Sequence, residues 1–129
     1  MTDKEIIENN KLIAEFMGFT INKHWNNWFD VPKKYQLIYP SSFGIDFNCK
    51  FNTSWDWLMP VVEKIEMIEQ NGLYYNFQIL GGCSVYIISS DMEEILSVDN
   101  GDSKLHNVWL AVVEFIKWYN ENKEGGANE

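Results

Sequence analysis

From Ser54 to Ile68 the chain carries a single apolar stripe, and that stripe dictates what the remaining residues must supply. Leu58, Val61, Val62, Ile65 and Ile68 recur at three- and four-residue spacing, while Glu63, Lys64, Glu66 and Glu69 fall largely on the opposite side. The pattern predicts a central amphipathic helix closed by Asn71-Gly72, whose apolar side has to be buried against another element. The later hairpin segments are the expected partner. Thr53 or Ser54 is placed to cap this helix, with Asp56 favourable in its first turn. Pro60 conflicts with a regular interior, where it removes one hydrogen bond at a cost of ~3 kcal/mol. Either the helix kinks there, or its regular part begins near Trp57 and takes Pro60 into its first turn.

Before this helix, Thr2 to Met17 reads as a first helix. Thr2 and Glu5 have capping-box spacing, Ile6, Ile7, Leu12, Ile13, Phe16 and Met17 form its stripe, and Gly18 is placed to stop it. Phe19 to Pro32 mixes aromatics with Asn, as a loop or short hairpin does. Tyr35 to Tyr39 suggests a short strand. Phe43, Ile45, Phe47, Cys49 and Phe51 alternate, which predicts a strand or an extended lead-in to the central helix. Beyond it, Leu73 to Leu80 and Cys83 to Ser89 flank Gly81-Gly82 as a hairpin with a two-residue turn, and Ile95 to Val98 is a candidate third strand. Ser103 is placed to cap a last helix to about Asn122, its buried face made by Leu105, Val108, Trp109, Val112, Phe115, Ile116 and Tyr119. With short antiparallel signals throughout, the expectation is an α+β protein: one domain over residues 1–122 followed by a flexible tail at 123–129.

Charge narrows the function. Nineteen acidic residues against ten basic ones give a formal net charge of −9, and every basic residue is Lys. Without Arg the chain lacks the preferred fork for phosphates and base edges, and its charge repels a nucleic-acid backbone, so no direct nucleic-acid binding is expected. An acidic surface suits a basic partner, although it also serves plain solubility. The two cysteines, Cys49 and Cys83, stand in apolar contexts with no zinc-type spacing. The apolar runs fall far short of the ~20 residues that span a bilayer. A soluble, cytoplasmic protein without cofactor or metal is expected.

Three segments carry a resemblance. Residues 10–18 (NKLIAEFMG), 53–65 (TSWDWLMPVVEKI) and 112–120 (VVEFIKWYN) are similar to those of a family of small phage and prophage proteins, mostly of gut Bacteroidota, named the phage ABA sandwich. The Trp-Asp-Trp-Leu-Met-Pro stretch is the most specific part. The resemblance implies an α/β/α sandwich, an antiparallel sheet with about three helices, made in a bacterial host cell. It brings no catalytic residue with it.

Two constellations are candidates for binding. Trp55, Asp56 and Trp57 open the central helix, where rings can stack on a planar ligand and free N–H groups can meet an anion; the alternative role is a cap with two rings closing the sheet's edge. His24, Trp25, Trp28 and Asp30 combine an aromatic pair that suits a partner surface with a His and an Asp that suit a general base. No nucleophile has a recognisable setting, so an enzyme is not expected. Asp91, Glu93, Glu94, Asp99 and Asp102 lack the calcium-loop pattern and read as a solvated turn. The resulting expectation is a non-enzymatic interaction module for a host or phage protein, acting through Trp25 and Trp28. The alternative is a nucleotide-like small molecule bound at Trp55 and Trp57.

Overall fold

The protein is described by a computed structural model over residues 1–25, 27–39, 45–81, 84–100 and 103–127, with side chains to 122. It is α+β, as expected: three helices and two antiparallel sheets. The chain gathers into two compact units, Met1–Leu58 and Met59–Glu129.

The first unit opens with helix α1, Asp3–Phe16. The capping box forms as the sequence predicts: Glu5 N donates to Thr2 Oγ1 at 3.1 Å, and Thr2 N donates back to Glu5 Oε1 at 3.4 Å. At the other end Phe19 N reaches Ala14 O and Gly18 N reaches Glu15 O, the paired bonds of a Schellman stop. That stop needs a left-handed residue, and Gly18 supplies it at φ +87°. The buried stripe differs from the expected one. It runs through Asn10, Ile13, Ala14 and Met17, whereas Ile6, Ile7, Leu12 and Phe16 are only half-buried. Asn10 belongs inside because its Nδ2 donates to Cys49 O at 3.0 Å and to Asn52 Oδ1 at 2.9 Å, tying the lead-in of the next helix to α1.

After the stop, β1 (Thr20–Ile21), β2 (Trp28–Asp30) and β3 (Ile45–Asp46) form a small antiparallel sheet in that order. Its registers pair Ile21 with Phe29 and Phe29 with Ile45. Of the loop and the short hairpin that 19–32 allows, the structure shows the hairpin; of the strand and the lead-in that 43–51 allows, it shows a two-residue strand and then a lead-in. Tyr35–Tyr39 is not a strand: Pro32 leads into a 3₁₀ turn at Lys33–Tyr35, and Tyr39 N bonds Tyr35 O at 2.9 Å. The alternating run 43–51 is a strand only at Ile45–Asp46, its first residues lying outside the described ones. Asp46 Oδ1 accepts from Asn48 N at 3.0 Å, a side-chain turn that ends the ladder, so Cys49 and Phe51 are buried by an irregular segment. Phe19, Phe29, Tyr39, Phe51 and Trp57 pack edge to face or tilted within this unit, with Tyr39 4.8 Å from Trp57 and 5.8 Å from Phe51, centroid to centroid.

Helix α2, Trp55–Glu66, crosses from one unit into the next. Leu58, Val61, Val62 and Ile65 are buried, as their spacing predicts. Pro60 lies in the second turn, not the first, and withholds an N–H from the Asp56 carbonyl. The predicted end at Asn71-Gly72 is a correction. The helix stops at Glu66, Glu69–Gln70 forms β4, and Asn71 (φ 55°) with Gly72 (φ 80°) makes the two-residue turn into β5, Leu73–Leu80. Asn-Gly with both φ positive is a hairpin turn of type I′, so its signal belonged to the sheet.

The second sheet runs β4-β5-β6-β7, with β6 at Ser84–Ser89 and β7 at Glu94–Val98. Its last described β5–β6 pair is Leu80 with Ser84; the expected Gly81-Gly82 turn reaches Gly82 and Cys83, which lie outside the described residues. Glu66 Oε2 accepts from Phe77 N at 3.2 Å on β5. Helix α3, Lys104–Ala127, packs on β6 and β7 and continues into the segment expected as a tail. Ser103 Oγ accepts from His106 N at 3.1 Å, the predicted cap. Burial on α3 extends past the expected stripe to Ala111 and Val113. Among the described residues no helix is long and apolar enough to cross a membrane.

Asn10→Ala orphans two acceptors inside the first unit, so urea denaturation should show a loss of about 2–3 kcal/mol; a loss below about 0.5 kcal/mol would contradict the tie. Burial is the main reason that the Cys49 thiol is pushed up to about 12, with the Asp46 carboxylate adding to the effect. In the unfolded chain the same thiol ionises near its ordinary 8.5. The folded state therefore holds the proton more tightly, and stability fully present at neutral pH should decline as pH rises above about 9. Iodoacetamide at pH 8, read by mass spectrometry of the Cys49 peptide, should leave this thiol unmodified until the protein unfolds.

Candidate functional site

The aromatic pair in the first hairpin is built by one asparagine. Asn22 leaves β1 and its Oδ1 accepts from His24 N at 2.8 Å and Trp25 N at 2.9 Å, an Asx turn that reverses the chain. Its Nδ2 donates to Asp30 Oδ1 at 2.9 Å, and its own N–H bonds Trp28 O at 2.9 Å. Trp28 N in turn reaches Trp25 O at 3.0 Å. The connection is thus fixed from both strands, and it brings Trp25 and Trp28 together with ring centroids 6.0 Å apart and planes at 51°. Trp25 is 54% exposed although it is one of the largest apolar side chains; Trp28 is half-buried beneath it. An aromatic ring held in the open by a hydrogen-bonded turn loses little freedom on binding.

His24 and Asp30 are not joined as a base and its orienting carboxylate. The Asp30 oxygen goes to Asn22, and His24 enters the network through its backbone N–H.

Trp55, Asp56 and Trp57 share the start of α2 but not one surface. Trp57 lies edge-on to Tyr39 and to Phe51, 5.2 Å from the latter, and its carbonyl accepts the Tyr39 hydroxyl at 2.5 Å. Trp55 is 38% exposed and Asp56 is exposed. Successive odd positions of a helix face about 200° apart, so the two rings cannot stack on a single planar ligand. Burial of Tyr39 drives its phenol well above its usual range, with the neighbouring Tyr35 adding to the effect, so it remains a donor to that carbonyl.

Each unit also carries a cleft among the described residues. One of about 420 Å³ in the first unit is lined by Asn10, Cys49, Asn52 and the first turns of α1. Another of about 440 Å³ in the second unit is lined by Tyr75, Glu93, Trp118 and Glu121 among others. Sequence reading missed the second because its residues come from a strand, a connection and a helix, and only Glu93 had been singled out, as part of an acidic turn. That turn is ordered: Asp91 accepts from the Ser89 hydroxyl and from Glu93 N, and these bonds, the hydroxyl first, hold its carboxyl below the usual carboxylate range. Among the described residues no cluster of His, Cys, Asp and Glu could hold a metal ion.

No family model, curated protein or solved structure matches the chain.

Asn22→Ala should destabilise by about 1 kcal/mol and raise the picosecond–nanosecond mobility of the Trp25 indole measured by ¹⁵N relaxation. Equal order parameters in the alanine variant would show that Asn22 does not hold the pair.

Proposed function

We propose that this protein is a non-enzymatic interaction module of the phage or prophage type, and that the Trp25–Trp28 pair is its anchor for a host or phage protein. The observation that carries the reading is the exposed Trp25 ring held against Trp28 by the Asn22 turn. Binding energy concentrates on a few aromatic anchors presented with little ordering cost, and the most enriched of these is Trp. The net charge of −9 adds a preference for a basic partner and predicts association that slows as salt rises. Assignment of Asp30 to Asn22 also favours an interaction role for this loop over general-base chemistry.

The test is affinity capture of the tagged protein from a bacterial lysate, beside Trp25→Ala, Trp25→Ala/Trp28→Ala and an unrelated acidic domain. Removing the exposed Trp25 ring should change stability by no more than about 0.5 kcal/mol and weaken the captured complex by about 2 kcal/mol or more. Equal capture by the double variant, with its circular dichroism unchanged, would remove the aromatic anchor from the reading.

A further inference from the structure

The cleft of the Met59–Glu129 unit has a chemistry of its own, independent of the Trp25–Trp28 pair. Tyr75 on β5 and Trp118 on α3 line it, with ring centroids 5.8 Å apart and planes at 80°; Tyr75 is only 4% exposed, so the half-buried indole is the more open of the two aromatic walls. The Tyr75 hydroxyl donates to Gln70 Oε1 at 2.8 Å, and Phe115 packs against both rings, which holds them in place. Glu93, on the connection before β7, and Glu121, one turn beyond Trp118 on the same side of α3, line the same space. Both residues are exposed, and neither carboxylate is paired with a cation among the described residues. No Lys or His is among the lining residues.

These features select one ligand class. Aromatic faces attract cations, indole most strongly, and a carboxylate adds a counter-charge without closing the site. The two carboxylates disfavour an anion here, while Gln70, Asn71, Ser89 and Asn122 add neutral polar groups to the lining. A bare metal ion gains little from aromatic walls and prefers a denser set of oxygen donors. The volume of about 440 Å³ is within the range of small-molecule sites. We propose that this cleft binds an organic ammonium ion, with Trp118 and Tyr75 as its walls and Glu93 and Glu121 as its counter-charges. The same head group arrives either on a free amine or on the lysine side chain of a basic partner.

The experiment titrates the full chain, ¹⁵N-labelled, with choline, with its neutral isostere 3,3-dimethyl-1-butanol, and with a short peptide blocked at both termini that carries one free lysine side chain. Choline or the lysine peptide should shift the Trp118 indole resonance and the amides around Glu93 and Glu121, while the neutral isostere binds at least about tenfold more weakly. Shifts with the peptide alone would identify the lysine side chain as the source; shifts with choline would identify the free amine. Glu93→Gln with Glu121→Gln changes two exposed, unpaired side chains and should retain the spectrum of the folded protein while weakening binding about tenfold. Trp118→Leu should weaken it about threefold to tenfold. The proposal is overturned by unshifted cleft resonances at about 10 mM of every ammonium probe, a concentration that reports even weak sites. It is equally overturned by equal binding of the isostere, or by an unaltered affinity in the double glutamine variant.

Discussion

The Tyr39 hydroxyl bonded to the Trp57 carbonyl is the constraint about which the first unit is arranged. Tyr39 is fully buried, so its hydroxyl needs an acceptor, and the protein supplies one from the opening of α2. The ring then touches Phe19, Phe51 and Trp57, which belong to the end of α1, the irregular lead-in and the helix. Asn10 closes the same frame from another side by holding the carbonyl of Cys49 and the amide oxygen of Asn52. Two polar groups inside an aromatic core thereby set positions that apolar packing alone leaves loose, since hydrogen bonds are directional and an unmade one is costly. Pro60 fits this frame: the helix lacks a donor for Asp56 in the very turn whose next carbonyl takes Tyr39.

Local signals in the sequence were legible wherever the physics is local. The Thr2–Glu5 capping box, the Gly18 stop, the Ser103 cap and the stripe from Leu58 to Ile65 each depend on residues three to five apart, and each has the predicted geometry. What escaped depends on partners distant in sequence. Asn10 reads as a flaw in a helix until Cys49 and Asn52 are brought to it. The alternation at 43–51 records burial but not pairing, because an Asx turn at Asp46 competes with the ladder. Asn71-Gly72 was legible as a turn, yet a helix stop and a type I′ hairpin use the same two residues, and only the short Glu69–Gln70 strand decides between them. The Trp25–Trp28 pair was visible from spacing; the Asn22 network that displays it was not. Trp55 and Trp57 were adjacent on paper, but helical geometry sends them apart.

Function divides along the same line. An exposed Trp25 ring held against Trp28 suits the proposed macromolecular partner, whereas a concave aromatic and acidic cleft suits the proposed cation, and each lies wholly within its own unit. Both features favour positive charge in what they meet, consistent with a chain that carries no Arg and an excess of nine acidic residues.

The Glu66 carboxylate on Phe77 N–H has one more consequence. β4 pairs with Leu73 and Tyr74, and among the described residues no strand pairs with the outer side of β5 beyond them, while Ile79 and Leu80 at its far end are 41% and 54% exposed. A strand edge that ends in exposed apolar residues is a template on which a second chain can add itself and begin to aggregate. Glu66 occupies the central donor and sets a negative charge on that side, so an incoming strand must first displace a hydrogen bond and then bury a carboxylate. A residue on the polar face of a helix thus acts as the guard of a sheet.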